Sequence, residues 1–411
     1  MAEARRVIER VVRESYGRLM AYLVARTHDV AAAEDALADA FTAALDAWPR
    51  DGVPSKPEAW LFTAARRRLI DRGRHERVRA EAMPTLRLLE HGAEALPADV
   101  AFPDDRLKLL FVCAHPAIDR SVHTPLMLQV VLGLDAAAIA AAFLLAPATM
   151  GQRLSRAKRK IRDAGIAFDV PDRHELPPRL DAVLDAIYAA YNSGWDDIAG
   201  ADPRRRGLSE EAVWLARVLV SVMPGEPEAL GLLALMLYCE ARRPARRAHG
   251  VYVPMSDQDV ARWSAPMIDE AERVLALAGR ANRPGRFQVE AALQSAHVEG
   301  TRRGRVDWEA IAVLYTGLLR FSPAVGAQVG RAAAIAEAHG AAAGLTALDA
   351  IERSLAETYQ PYWAVRAHIL SRLRHQDAAA AFDKAIALTD DEAIRAFLKE
   401  RRPPADATAR G

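Results

Sequence analysis

An all-α protein is the fold class this sequence predicts, and three observations predict it. About half the residues are apolar, Ala is abundant and aromatic residues make up only 6% of the chain, a composition suited to closely packed helices. Apolar positions recur at three- and four-residue spacings in segment after segment. Short stretches rich in Pro and Gly separate those segments. With 411 residues the chain exceeds one ordinary core, so two or three domains are expected. The formal net charge is only +1, so any affinity for nucleic acid must come from local clusters of charge.

Taken in order, residues 1–48 read as helices. Val7, Val11, Val12, Tyr16, Leu19 and Leu23 line one apolar face. Asp29 opens a second segment, in which Ala33, Leu37, Phe41, Leu45 and Trp48 make a stripe while Glu34, Asp35, Asp39 and Asp46 face outward. An acidic helix face is ordinarily just solvated, and it becomes a docking surface when a basic partner exists. The prolines and Gly52 of 49–57 are expected to break the helix. Glu58 then begins a third segment with Trp60, Leu61, Ala64, Ala65, Leu69 and Ile70 as apolar contacts. Its other face carries Arg66, Arg67, Arg68, Arg72, Arg74, Arg77 and Arg79, a cluster suited to phosphates.

The pattern weakens over 84–103, where Gly92, Pro97 and Pro103 mark a linker. Asp104 and Asp105 then cap a compact helical unit: LKLLFVCAHP, TPLMLQVVLGL, and a short helix from Ala136 to Phe143 behind Asp135. The stretch 146–162, APATMGQRLSRAKRKIR, follows a brief connection. Pro147 suits its first turn, and Thr149 offers a capping oxygen. Met150, Leu154, Ala157 and Ile161 recur at spacings of four, three and four. Opposite them stand Gln152, Arg153, Ser155, Arg156, Lys158, Arg159, Lys160 and Arg162. Helix, short turn and polar-faced helix is the helix-turn-helix order, whose second helix enters the major groove. A solvated cationic helix is the alternative.

Three prolines in 168–178 make a second connector. Beyond it, 179–400 is again helical in pattern, with a Pro/Gly-punctuated excursion, RPARRAHGVYVPMSDQDVARW, in its first half. In YQPYWAVRAHILSRLRHQDAAAAFDKAIALTDD, Ala378, Phe382 and Ala385 fall at the spacings of the second helix of a tetratricopeptide repeat. PEALGLLALMLYCEARR and DWEAIAVLYTGLLRFSP look like degenerate relatives of that unit. Stacked helical hairpins make a concave surface that binds protein more often than it does chemistry.

Patterns for catalysis are weak. No Gly-rich phosphate loop, HExxH or GxSxG is present, and the histidines lack metal-ligand spacing, so neither metal nor cofactor is expected. Asp257 and Asp259, near Arg262 and Trp263, read as helix caps or partners of arginine; an enzyme with a pocket around them and Trp195 is the rival they would support. Cys113 and Cys239 sit far apart in apolar runs, as reduced buried thiols do. The amino-terminal residues lack the apolar core of a signal peptide, and Gln129 and Asp135 interrupt the longest apolar run, 126–146. A soluble, cytoplasmic protein without a membrane segment is expected.

Two basic helices, one behind an acidic helix and a Pro/Gly loop, the other in a helix-turn-helix, resemble regions 2 and 4 of bacterial RNA polymerase sigma factors of the extracytoplasmic-function group. The strings AAEDALADAFTAALDAWPRDGVPSKPEAWLFTAARRRLIDRGR, LKLLFVCAHPAI and LDAAAIAAAFLLAPATMGQRLSRAKRKI are similar to the subgroup with a tetratricopeptide-like C-terminal extension, as is the excursion. The resemblance implies region 2 at 1–83, a linker at 84–103, region 4 at 104–167, a linker at 168–178 and the extension at 179–411. Nothing in the linker resembles the region 3 domain of larger sigma factors.

What the resemblance implies about partners is specific. Glu34, Asp35, Asp39 and Phe41 would dock on the clamp helices of the polymerase β′ subunit, and the β flap is a further contact of the core enzyme. Arg50 to Lys56 match the loop that captures an unstacked base of the −10 element, at a cost of a few kcal/mol that nearby cations offset. Trp60, Arg66, Arg67, Arg68 and Arg72 match the helix that holds the melting strand, although Trp60 also suits a core position. Thr149, Gln152, Arg153, Arg156 and Lys158 would read the −35 duplex, with Arg to guanine and Gln to adenine each worth about 1–3 kcal/mol of discrimination. Arg159, Lys160 and Arg162 would hold phosphates. The extension would regulate or support this activity, also through a regulatory protein, in place of a membrane anti-sigma partner. The rival within DNA binding is a transcription regulator with a helical-repeat sensor domain, acting without polymerase.

Overall fold

The computed structural model describes residues 2–77, 105–142, 145–172, 175–196, 208–248 and 250–404. These are helical almost throughout, with one two-stranded ribbon among them. Contacts divide the chain into two units, Met1–Leu219 and Val220–Gly411.

In the first unit, α1 (Ala2–Thr27), α2 (Val30–Asp51) and α3 (Pro57–Arg77) pack together. His28, at φ 52°, turns the chain between the first two. Asp29 then caps α2 by accepting from the N–H groups of Ala31 and Ala32, each at 3.0 Å. Leu19, Met20 and Leu23 of α1 meet Ala33, Leu37 and Ala40 of α2 and Leu61 and Ala65 of α3 in a buried core. The alanines on α2 let the helices approach closely, and two edge-on ring pairs, Tyr22 with Phe62 and Trp48 with Trp60, fill the remaining space. Two expectations are corrected in α2. The helix passes through Pro49 and ends at Gly52, φ 88°, because a proline this close to the end forfeits only one backbone bond. Leu45 is 47% exposed, and Ala44 takes its place in the buried stripe.

Four further helices follow: α4 (Arg106–Cys113), α5 (Arg120–Leu132), α6 (Ala136–Ala142) and α7 (Pro147–Asp163). Asp119 caps α5 and Asp135 caps α6, with Oδ1 accepting from Ser121 and Ala138 at 2.8 Å each. The expected capping role of Thr149 fails. The helix already starts at Pro147 behind Ala146, so Thr149 lies inside the first turn, exposed, and no side chain caps this end. Met150, Leu154, Ala157 and Ile161 are buried as their spacing requires. Residue 143, the expected end of the short helix, and residue 144, the start of the expected turn, lie outside the described residues.

These helices interlock with the first three. A Cβ at Gly17 of α1 would lie 2.1 Å from the carbonyl oxygen of Val131 on α5, so only glycine permits this approach. Gly133 ends α5 at φ 71° against the Tyr16 ring. Two more helices, α8 (Leu176–Asp196) and α9 (Leu208–Val222), complete the unit, α9 running across its boundary. Arg106, 2% exposed, stacks over the Trp214 ring at 3.5 Å, and Arg179 donates to the Phe111 carbonyl at 3.5 Å.

The second unit begins with α10 (Pro227–Arg242), apolar and buried on nearly every side, against which α11 (Ala265–Arg280) and α12 (Arg286–Arg302) pack. There follow α13 (Trp308–Leu318), α14 (Val325–His339), α15 (Ala341–Asp349), the single turn α16 (Arg353–Ala356), α17 (Gln360–Arg372), α18 (Ala378–Ala387) and α19 (Glu392–Arg401). Successive helices pair as antiparallel hairpins through small residues; a Cβ on Gly344 would meet the Ala336 Cβ at 2.3 Å. Ala378, Phe382 and Ala385 are buried at the expected spacing. The excursion folds into a short ribbon, β1 (Arg247–Ala248) with β2 (Val251–Tyr252), and two 3₁₀ turns. It rests on α19: Arg247 pairs with Asp391, Arg401 with Asp257 at 3.3 Å, and Tyr252 meets the Phe397 ring edge-on.

Candidate nucleic-acid interface

With 100° between successive residues, α7 has three sides. Met150, Leu154, Ala157 and Ile161 form the buried one. Thr149, Gln152, Arg153, Arg156 and Lys160 share a second side, about 110° around the helix from the first, and every one of them is exposed. Arg159 stands exposed beside them. Arg153, Arg156, Arg159 and Lys160 form no ion pair among the described residues, although the Arg153 charge, after the hydrogen bonds from Ser121, helps to hold the Asp119 carboxyl below its ordinary range. The helix therefore presents an excess of positive charge and an amide to solvent. That array can donate to phosphate oxygens and to the major-groove edges of guanine and adenine.

Lys158 and Arg162 behave differently. Four residues apart, they line the third side of α7, on the other flank of its buried stripe, and that side meets α2. Lys158, with its side chain 11% exposed, pairs with Glu34, and Arg162 approaches Asp29 at 3.8 Å. Lys158 was expected on the base-reading surface, and the structure sets it in an ion pair instead. A separation of 124 residues left no signal of that contact in the sequence.

The acidic helix divides in the same way. Asp35, Asp39 and Asp46 share one exposed side of α2. Glu34 and Phe41, seven residues apart, share another, where Lys158 holds Glu34 and the Tyr16 ring stacks on Phe41 with centroids 6.5 Å apart. Burial first, and the Glu34 carboxylate second, push the Tyr16 phenol well above its ordinary pKa, so it remains neutral. The four residues expected to dock polymerase therefore lie on two flanks.

The −10 group is partly gathered. Arg50 and Lys56 are exposed on either side of the α2–α3 loop, and the Arg50 Nε donates to the Asp46 carbonyl at 3.0 Å. On α3, Arg67 and Arg68 are exposed and Arg66 is half-buried, while Trp60 is half-buried against Trp48. Side chains beyond Asp71 on α3, Arg72 included, fall outside the described residues, as does Arg79. The loop and α3 together offer cations around an aromatic pair.

The rival carboxylate pair has other occupations. Asp259 caps a 3₁₀ turn by accepting from Ala261 at 3.0 Å, and exposed Asp257 accepts from Ser256 and faces Arg401. Trp263 is buried, and the Trp195 side chain lies outside the described residues. Cys113 is buried and Cys239 half-buried, both as free thiols. Among the described residues no group of three His, Cys, Asp or Glu side chains could hold a metal ion, and no helix is long and apolar enough to cross a membrane.

Residues 11–79 match the family model of sigma-70 region 2. Residues 179–279 match DUF6596, a family of unknown function. A protein of Rhizobium meliloti (strain 1021), described as uncharacterised, is 37% identical over 394 residues, spanning 94% of this chain and 92% of its own length. No solved structure matches the chain. The chain thus carries a segment similar to sigma-70 region 2 and belongs, along nearly its whole length, to one family with the rhizobial protein.

Proposed function

We propose that this protein is a sigma factor of the extracytoplasmic-function group, which binds core RNA polymerase and directs it to promoters. In this reading α2 docks on the β′ clamp helices through Glu34, Asp35, Asp39 and Phe41. The loop from Arg50 to Lys56 and the α3 residues Trp60, Arg66, Arg67, Arg68 and Arg72 hold the melted −10 strand. The pair α6 and α7 is a region 4 helix-turn-helix, contacting the β flap and reading the −35 duplex through Thr149, Gln152, Arg153 and Arg156, with Arg159 and Lys160 on phosphates. The protein performs no chemistry of its own; polymerase makes the RNA.

One observation supports the reading above the others: the sigma-70 region 2 match over 11–79 is followed in the same unit by a helix whose exposed cations Arg153, Arg156, Arg159 and Lys160 form no ion pair among the described residues. Region 2 supports polymerase and promoter DNA as partners, and α7 supplies the second DNA-binding helix such a factor needs. The extension from 179 to 411, most of which lies in the unit from 220 onward, is the regulatory or supporting array, a surface for protein rather than substrate.

The test is recovery of purified core polymerase on the full-length protein. Wild type should retain core, and Asp39→Arg, a charge reversal on the exposed flank of α2, should cut recovery about tenfold. Retention of core by both proteins alike would remove α2 as the docking helix. A wild-type protein that bound promoter duplex tightly but never core would be a regulator acting without polymerase.

A further inference from the structure

We propose that the groove between α13 and α14 seats an amphipathic helix of a partner protein, about three turns long, whose carboxyl-terminal end carries acidic side chains that meet Arg320 and Arg331. This rests on the protein-binding role proposed for the extension, and it does not require that the chain bind polymerase.

The groove lies within the second unit and has a volume of about 520 Å³. On α13, Glu309, Ala312, Val313 and Thr316 fall at spacings of three, one and three, which sets them along one side of the helix. On α14, Arg331, Ile335 and His339 recur at every fourth residue. The two helices run antiparallel, so Glu309 stands 3.6 Å from His339 at one end, while the Arg331 Nε donates to the Thr316 hydroxyl at 3.0 Å toward the other. Arg320, exposed just past the end of α13, completes the second end. From Glu309 to Arg320 the groove runs about 16 Å at about 1.5 Å per residue, three turns of a helix laid along it.

Three observations select the occupant. Val313 is 69% exposed, the most exposed large apolar side chain among the described residues, and with Ala312 and Ile335 it forms a trough that the ridge of a third helix fills. An open trough of this kind suits a helix better than a small molecule, which needs enclosure on most sides. Those three side chains offer no hydrogen bond, and helical walls have no free edge. An extended peptide would therefore bury unpaired N–H and C=O groups along the middle of the groove, whereas a helix pairs its own.

The third observation is the difference in charge between the two ends. Neither Arg320 nor Arg331 forms an ion pair among the described residues, and Glu309, its side chain 70% exposed, marks the opposite end. A helix carries partial negative charge at its carboxyl end and partial positive charge at its amino end. The seated helix therefore points its carboxyl end at the two arginines and its amino end at Glu309. Acidic side chains in its last turn, disfavoured by its own dipole when alone, gain two guanidinium partners on binding.

The probe is a displayed library of amphipathic helices of about fourteen residues, apolar at every third or fourth position, with Glu, Gln or Lys varied at both ends. It is selected on the full-length protein. Recovered peptides should carry Glu at the carboxyl end, and a synthetic copy of the tightest should bind at least tenfold more weakly to Val313→Glu and to Arg320→Glu with Arg331→Glu. Exchanging its carboxyl-terminal Glu residues for Lys should restore binding to the double variant, a rescue that an unfolded protein could not give. A selection without charge preference, or a selected peptide that the variants bind as tightly as wild type does, overturns the proposal. So does sedimentation of wild type as a dimer that Val313→Glu converts to a monomer, since a second copy would then fill the groove. Peptide binding by a protein that never retains core polymerase leaves the groove standing and removes the proposed function; retention of core without peptide binding does the reverse.

Discussion

Two helices of this protein are short, amphipathic and rich in cations, yet they dispose of their charge in opposite ways. In α19 and the residues around it, Arg395 donates to the Thr389 carbonyl, Arg401 reaches Asp257 and stacks on Phe397, and Arg402 grips both oxygens of Asp383 at 2.7 and 2.8 Å. In α7, one edge is neutralised by α2 while Arg153, Arg156, Arg159 and Lys160 face solvent. Cation count therefore does not mark a nucleic-acid surface; what marks it is charge that the fold leaves uncompensated. The same contrast separates a helix that staples a ribbon to its own unit from one that, in the proposed reading, meets DNA.

The strongest way to test that contrast is to remove two exposed arginines from α7. Arg153→Ala with Arg156→Ala should lower −35-dependent transcription by at least about thirtyfold, since each base contact contributes roughly 1–3 kcal/mol, and leave recovery of core unchanged. Undiminished −35 dependence in a reconstituted transcription assay would return α7 to a solvated helix.

In the second unit the expected effects fall on stability instead. His297 lies beside Trp308, and burial, then the nearby Arg242 charge, lowers its pKa to about 4. Between the ordinary value near 6.5 and about 4, the unfolded chain binds a proton that the native chain refuses. Stability is therefore full above pH 6.5 and declines as pH falls toward 4, by up to about 3 kcal/mol. Denaturant unfolding at stepped pH should show this decline, and His297→Gln should flatten it.

Asp391 is a smaller lever. Burial alone would raise its pKa, but the amides of Ile394 and Ala393 and the Arg247 guanidinium outweigh that and hold the carboxyl below its ordinary range. Asp391→Ala should cost about 1–2 kcal/mol through the lost cap and ion pair. Asp391→Asn, which keeps a capping oxygen, should cost less, and thermal melts compare the two. Neither change should alter −35 recognition. Smallest of all, Arg159→Ala should weaken DNA binding about equally across sequences and reduce the slope of log affinity against log salt by about one, as loss of a single phosphate contact does.

Much of this was legible in the sequence because it is local. Helix periodicity located the buried stripe of α7, and Asp29 and Asp135 were each read at the start of a helix that they cap, whereas the cap at Asp119 stood in no assigned segment. Thr149 and Pro49 misled because start and stop signals compete: Pro147 had already opened α7, and α2 tolerated a proline in its last turn. The helices α14 and α15 gave no periodic signal, since their contacts run through Ala and Gly on several sides. The pairing of Glu34 with Lys158 was beyond reach, because two charged residues 124 positions apart each look like an ordinary solvated side chain. Composition could show that both helices carried charge, and only packing could show which charges were already used.

Transcription from a promoter library by purified core polymerase, with and without this protein, tests the central claim most directly. The account predicts that adding the full chain shifts initiation to a distinct set of promoters sharing a −35 element, and that Arg153→Ala with Arg156→Ala abolishes the preference for that element. Start sites identical with and without the protein would contradict it.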